Sequence, residues 1–173
     1  MTDVKDIVCA RLDEMGIPYR RYRHAAAFTM EDCAAVDEMI GASVCKNYFL
    51  TTKSKKHYCL CVVRGNARLK TSDISKQAGT PRLSFADEAD MAAMLRVHPG
   101  SVSPMGLMFD AENRVQLLVD RALADAGEMG FHPCDNTETI VLSGPDFFEK
   151  FLPAVGHSPK FVEIHDFLGE PKL

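Results

Sequence analysis

Val44-Cys45-Lys46-Asn47-Tyr48-Phe49-Leu50-Thr51-Thr52 and His57-Tyr58-Cys59-Leu60-Cys61-Val62-Val63-Arg64 decide the fold class. Both runs are rich in aromatic and β-branched residues, and Lys53-Ser54-Lys55-Lys56 between them is a polar turn. They read as two adjacent strands. Upstream, Val4, Ile7, Val8, Leu12 and Met15 recur at helical spacing, so the pattern predicts a helix over Asp3–Met15 with Gly16 as its stop. Tyr19–His24 reads as extended after Pro18. Met30–Ile40 reads as a second helix, with Thr29 as N-cap, Asp32 as the capping-box acid and Gly41 at its end.

Downstream, a short helix is expected at Asp73–Gln77, capped by Ser72 and stopped by Gly79, then a strand at Arg82–Ala86 and a helix from Asp87 to Arg96. His98–Pro104 reads as a rigid loop. Leu107–Phe109, Val115–Val119, Glu128–Pro133 and Thr137–Leu142 read as strands. Ser143 is expected to cap a helix over Pro145–Leu152, and Phe161–Ile164 to form a last strand. Adjacent strands mixed with scattered helices predict a single α+β domain, with a mixed, mainly antiparallel, curved sheet and surrounding helices. No regular βαβ repeat is visible, which disfavours a dinucleotide-binding fold. The domain is expected to run over residues 1–168, with residues 169–173 as a C-terminal tail.

Composition sets outer limits. The chain has 173 residues, 46% of them hydrophobic and 25% charged, which suits one globular domain. No 18-residue apolar run or secretory leader is seen, so a cytoplasmic protein without membrane contact is expected. The net charge of -4 argues against a non-specific nucleic-acid coat, though not against an enzyme that grips one end of an RNA. The cysteines at 9, 33, 45, 59, 61 and 134 include no CxxC pair. They read as free thiols, and neither a metal nor another cofactor is expected.

Several residues carry chemical possibilities beside plainer ones. Lys46 in an apolar strand is either a solvated cation or a lysine aimed into a cleft, on one face with Val44 and Tyr48. Gly100-Ser101-Val102-Ser103-Pro104 is either an ordinary connection or a loop whose backbone amides meet an anion or carbonyl. Ser101 and Ser103 lack the surroundings of a nucleophile elbow. His132 either caps a strand end or positions water, with Asn136 and Thr137 completing a polar pocket or a turn. Cys45 reads as a structural thiol, since its neighbour Lys46 points the other way. Arg20, Arg21, Arg23 and Lys53, Lys55, Lys56 are solvated charges or a pair of groups flanking a cleft for RNA phosphates.

Three segments in order resemble a known family: Lys46-Asn47-Tyr48-Phe49-Leu50, the loop His98–Leu107, and Phe131-His132-Pro133-Cys134 with Asn136-Thr137. Together they are similar to the YbaK/prolyl-tRNA synthetase editing-domain superfamily, and more narrowly to its free-standing ProX branch, over Val4–Phe167. The resemblance implies a trans-acting deacylase that hydrolyses mischarged Ala-tRNA(Pro). Lys46 matches the family lysine beside the 3′-terminal adenosine. Gly100 and Pro104 match the ends of the G-x-x-x-P loop, with Ser101, Val102 and Ser103 between them, and His132 matches a pocket histidine. Asn47 follows the lysine as in this branch. The implied partners are the acceptor end of tRNA(Pro) and prolyl-tRNA synthetase, and a monomer is expected. Three alternatives stay open: a Cys-tRNA(Pro) deacylase of YbaK type, a non-catalytic module binding tRNA or a synthetase, and an unrelated hydrolase using Ser101, Ser103 or Cys45.

Overall fold

The computed structural model describes residues 2–26, 38, 40, 44–65 and 67–167, with main chain only at 166 and 167. Helix α1 (Val4–Glu14) buries Val8, Cys9 and Leu12 on one face. It ends where Gly16 takes φ +70° and Ile17 N–H returns to the Leu12 carbonyl at 3.1 Å. Strand β1 (Arg20–Arg23) follows, antiparallel to β8 (Glu138–Ser143), which pairs on its other edge with β7 (Glu128–Phe131).

The large sheet is built around the two strands that the sequence singles out, β2 (Lys46–Thr52) and β3 (Tyr58–Val63). With β5 (Leu83–Phe85), β6 (Val115–Asp120) and β9 (Pro159–Val162) they form the order β5-β2-β3-β6-β9. The β2 pairings are antiparallel, whereas β3-β6 and β6-β9 are parallel. Every residue of β3 is buried. A central strand covered on both faces needs apolar side chains at odd and even positions alike, hence its unbroken Tyr-Cys-Leu-Cys-Val-Val. A short ladder of β4 (Ala67–Arg68) with β10 (Asp166–Phe167) completes the strands.

Two packed clusters lie on opposite faces of this sheet. Phe49, Leu60, Val62, Leu117 and Val119 face the first, which also holds Leu12, Met105, Phe131, Cys134 and Phe147. Leu50, Cys59, Cys61, Val63 and Leu118 face the second, closed by Ile74 and Ala78 of helix α2 (Thr71–Ala78) and by Ile164. Burying each large apolar side chain contributes about 1.5–3 kcal/mol. The small sheet meets the large one through a parallel bridge between Val44 and Gly130, where Cys45 N–H donates to the Gly130 carbonyl at 3.0 Å.

Helix α3 (Glu88–Leu95) starts at Asp87, whose carboxylate accepts from Asp90 N–H at 2.9 Å, and stops at Arg96 in the left-handed region. The last helical stretch begins at Ser143, whose hydroxyl accepts from Asp146 N–H at 3.0 Å. It runs through α4 (Gly144–Asp146), a π turn at Phe147–Phe151 and α5 (Leu152–Ala154). Pro153 has no N–H for the Glu149 carbonyl, and the helix widens just before it.

Two expectations are corrected. Leu107–Phe109 is not a strand. It belongs to a 3-10 helix over Pro104–Phe109, started by Pro104 and by the Ser103 hydroxyl accepting from Met105 N–H at 3.1 Å. The apolar run reflects burial, and a Cβ on Gly106 would lie only 2.6 Å from the Leu95 carbonyl oxygen, so this turn packs tightly on α3. Ser72 is not a cap: α2 starts at Thr71, with Lys70 as its N-cap residue and no side-chain cap. Gly79 ends α2 in the left-handed conformation as its sequence position suggests. The helix expected at Met30–Ile40, with Thr29, Asp32 and Gly41, falls outside the described residues except at Glu38 and Ile40, both helical. Residues 168–173 also fall outside, so the boundary of the expected tail is not described.

Candidate functional site

Lys46 opens β2 opposite Val63, and Asn47 lies opposite Val62. Alternation along the strand puts Lys46 on the face of Tyr48, Leu50 and Val63, and Asn47 on the face of Phe49 and Val62. Lys46 is half-buried and has no ion pair or hydrogen bond among the described residues. Asn47 donates from its amide to the Cys45 carbonyl at 3.5 Å, while its Oδ1 is buried without a partner. A buried polar atom left unpaired costs about 1–3 kcal/mol, so Asn47 holds an acceptor in readiness for a donor.

The loop ahead of the 3-10 helix is held by its own serines. Ser101 is fully buried, and its N–H and hydroxyl both donate to the His98 carbonyl, at 2.9 and 3.1 Å. Its Oγ also accepts from His98 N–H at 3.0 Å. Ser103, equally buried, is committed to the cap at Met105. Both hydroxyls therefore shape the loop and neither is set up as a nucleophile. Gly100, at φ +91°, makes the turn that exposes the loop's leading edge, and Val102 packs against the first cluster. Pro104 is buried and fixes the far end.

The third segment leaves β7 at Phe131. His132 Nδ1 lies 2.7 Å from the main-chain oxygen of Glu138. A carbonyl only accepts, so Nδ1 carries the proton, and the neutral ring presents a lone pair at Nε2. Burial holds the His132 imidazole below its ordinary value, with His24 and His98 pushing the same way against the Glu138 carbonyl. The His24 and His132 ring centroids are 6.0 Å apart, and His24 Nε2 sits 2.8 Å from the Thr139 hydroxyl. Asn136 is 5% exposed with its side-chain nitrogen unpartnered. Thr137 N–H donates to Asp135 at 2.8 Å, and the Thr137 hydroxyl also bonds that carboxylate.

These segments converge through the main chain. The Val44–Gly130 bridge places the start of β2 beside the strand that delivers His132. The Cys134 thiol reaches the Leu95 carbonyl at 3.9 Å, tying the 132–137 segment to the end of α3 and so to the His98 loop. His98, close enough to lower the His132 pKa, links the same two loops. Sequence inspection alone missed His24 and His98 as members of this group; no spacing marks them, because the sheet pairing assembles them.

The predicted basic groups differ in how much charge they keep. Arg20 pairs with Glu128, Arg21 with Glu138 and Asp6, and Arg23 lies 3.6 Å from Glu138. Hydrogen bonds from Glu138 and then Asp6 push the Arg21 pKa further up. Lys55 meets Asp87 and Asp90, both at 3.0 Å. Only Lys53 and Lys56 of those six are exposed with no ion pair among the described residues. Arg20–Arg23 lie in the small sheet and Lys53–Lys56 at the β2–β3 turn of the large one.

Cys9, Cys45, Cys59, Cys61 and Cys134 are buried and form no disulfide. Burial pushes the thiols of Cys59, Cys61 and Cys134 up to about 11, 12 and 12. Such thiols are poor nucleophiles near neutrality. Among the described residues no group of three or more His, Cys, Asp or Glu is placed to hold a metal. No helix among them is long and apolar enough to cross a membrane.

The fold, with the start of β2 set beside the strand that delivers His132, is that of the aminoacyl-tRNA editing domains, a class that hydrolyses aminoacyl-tRNA esters. Residues 24–150 match the family described as the aminoacyl-tRNA editing domain, and the chain belongs to that family. It is 32% identical over 163 residues to the prolyl-tRNA editing protein ProX of Acetoanaerobium sticklandii, covering 94% of this chain and 98% of that one. It is 33% identical over 153 residues to the mouse prolyl-tRNA synthetase associated domain-containing protein 1, covering 86% and 89%. A crystal structure of a candidate trans-editing enzyme for prolyl tRNA synthetase superimposes with a TM-score of 0.72 over 96% of this chain and 99% of that one. At 15% identity it shows the shared fold.

Proposed function

We propose that this protein is a free-standing editor that hydrolyses Ala-tRNA(Pro), clearing an error of prolyl-tRNA synthetase. The similarity to ProX supports the tRNA and the trans-acting role. The observation that carries the chemistry is His132, whose Nδ1 lies 2.7 Å from the Glu138 carbonyl oxygen and so leaves Nε2 as the acceptor.

An aminoacyl ester is already activated, so a positioned water is enough. His132 Nε2 accepts a hydrogen bond from that water or from a substrate hydroxyl. Attack on the carbonyl carbon makes a tetrahedral intermediate; its C–O bond to the terminal ribose then breaks, the ribose oxygen takes a proton and alanine leaves. Ser101 N–H is committed to His98, so the neighbouring amides of Gly100 and Val102 are the donors proposed for the oxyanion. Asn47 Oδ1, a buried free acceptor, suits the α-ammonium group, and Asn136 offers a buried free donor to the same polar lining. Lys46, on the other face of β2, meets the terminal nucleotide as a point charge.

Selection against proline is steric, and one methylene in such a pocket is worth about 1–3 kcal/mol. Serine is therefore a secondary substrate in this reading. Lys53 and Lys56 keep uncommitted charge and are proposed RNA contacts, whereas Arg20, Arg21, Arg23 and Lys55 share theirs with carboxylates.

The test is deacylation of tRNA(Pro) charged separately with alanine, cysteine, serine and proline. Rapid alanine release with prolyl-tRNA intact is expected. Cysteine-selective release moves the protein to the YbaK-type activity, and no release with tight tRNA binding makes it a binding module.

A further inference from the structure

On the face of the large sheet that carries Lys46, a cavity of about 230 Å³ lies between the β4 end and the first turn of α2. Its rim holds Arg68, Lys70 and Lys76, all exposed, with one acid, Asp73. None of the three cations has an ion pair among the described residues. They differ in this from Arg20, Arg21, Arg23 and Lys55, and such a concentration of free positive charge is notable in a chain of net charge -4. Asp73 is partly engaged by the Gln77 amide at 3.2 Å.

Local structure adds to the field. Arg68 and Lys70 are two apart in an extended segment and share a side. The α2 N-terminus opens into the same place without a side-chain cap, and Asp73 in its first turn offsets only part of the positive end. The floor is apolar: Ile74 and Ile164 belong to the cluster that contains Val63, the register partner of Lys46. From Val63 the chain reaches Arg68 in five residues. On the way Gly65 runs so close to Val44 that a Cβ there would lie 2.7 Å from the Val44 carbonyl oxygen. The groove thus lies a short stretch of chain from the start of β2, where Lys46 is on the same sheet face.

We infer that this groove binds the phosphodiester backbone of the RNA substrate, guiding the strand toward Lys46. The inference rests on the deacylase reading for what the RNA carries, but the groove's chemistry requires only a run of phosphates. Point-charge contacts of this kind give affinity that falls steeply with salt.

The experiment uses the full chain and the variant Arg68→Glu/Lys70→Glu/Lys76→Glu, with Lys53→Glu/Lys56→Glu for comparison. All five positions are exposed, and circular dichroism melting checks that the fold is kept. Uncharged tRNA(Pro) binding is measured against salt, and deacylation is measured on alanyl-tRNA(Pro) and on an alanyl ester of the 3′-terminal trinucleotide. For the groove variant the slope of log affinity against log salt is expected to lose about 2–3 units in magnitude. Its kcat/KM on the tRNA should fall at least about tenfold through KM, with trinucleotide turnover unchanged. An unchanged salt slope, or a loss confined to Lys53→Glu/Lys56→Glu, overturns the groove. If the parent releases no amino acid, the deacylase reading fails, while a lost salt slope in the groove variant still upholds an RNA surface.

Discussion

Lys46 and Asn47 are consecutive in the chain and face opposite sides of the central sheet, Lys46 with Val63 and Asn47 with Val62. Two consecutive strand positions therefore serve two surfaces. The lysine belongs to the side of the basic groove, and the asparagine to the side of Phe131, Cys134 and the Ser101–Pro104 loop. A substrate whose nucleotide and aminoacyl ends meet at one ester bond suits such a divide.

Lys46→Ala is expected to lower kcat/KM for alanyl-tRNA(Pro) by about tenfold to a thousandfold, equivalent to roughly 1.4–4 kcal/mol of transition-state stabilisation. Lys46→Arg should recover part of it, since the charge is kept with different geometry. Steady-state deacylation of the two variants checks this. Stability should hardly change, because no ion pair is lost.

A pH dependence is expected from His132, whose pKa lies below its ordinary 6.5 because partial burial desolvates the ring. As pH falls through 6.5 the unfolded chain takes up the proton before the folded one does. Folded stability from this group is therefore complete above 6.5 and declines below it, until the folded ring also protonates. In the proposed mechanism the neutral ring acts, so the acid limb of kcat/KM should lie below pH 6.5 and disappear in His132→Gln. A pH–rate profile, with NMR titration of the imidazole, decides it; a limb above 6.5 contradicts the assignment.

Serine- and thiol-directed reagents should leave activity intact. Ser101 and Ser103 spend their hydroxyls on His98 and Met105, and the thiols of Cys59, Cys61 and Cys134 are buried and pushed up to about 11–12. Ser101→Ala should cost about 1–3 kcal/mol of stability through the loop donors and acceptors it leaves unpaired. Thermal melting and labelling of the native protein by iodoacetamide test both points.

Arg21→Ala should act on stability more than on substrate binding. Glu138 is 2% exposed and loses its main partner, keeping only Lys5 at 3.8 Å and Arg23 at 3.6 Å. Removing one member of a buried pair costs about 3–5 kcal/mol, and the two remaining cations reduce this to about 2–3. For a domain of this size that is a fall of roughly 5–10 °C in Tm. An unchanged Tm with a raised KM would instead mark Arg21 as an RNA contact.

Local chemistry makes much of this molecule legible from its residues. The apolar runs at 44–52 and 57–64, Gly16, Gly79 and the Asp87 cap all declare their elements, because propensity, capping and burial there agree. The order of Lys46, the glycine loop and His132 points to the editing family without any coordinates. Leu107–Phe109 misleads, since an apolar triplet reports burial and not backbone conformation. What only the tertiary structure decides is direction and partnership. Pairing with Val63 sends Lys46 to one face, and Glu138 claims Arg21 from 117 residues away. The fold also gathers Arg68, Lys70 and Lys76, widely enough spaced to read as ordinary surface charge, around one groove. Electrostatics acts through space, so a cation's availability depends on carboxylates that the fold, not the neighbouring sequence, brings beside it.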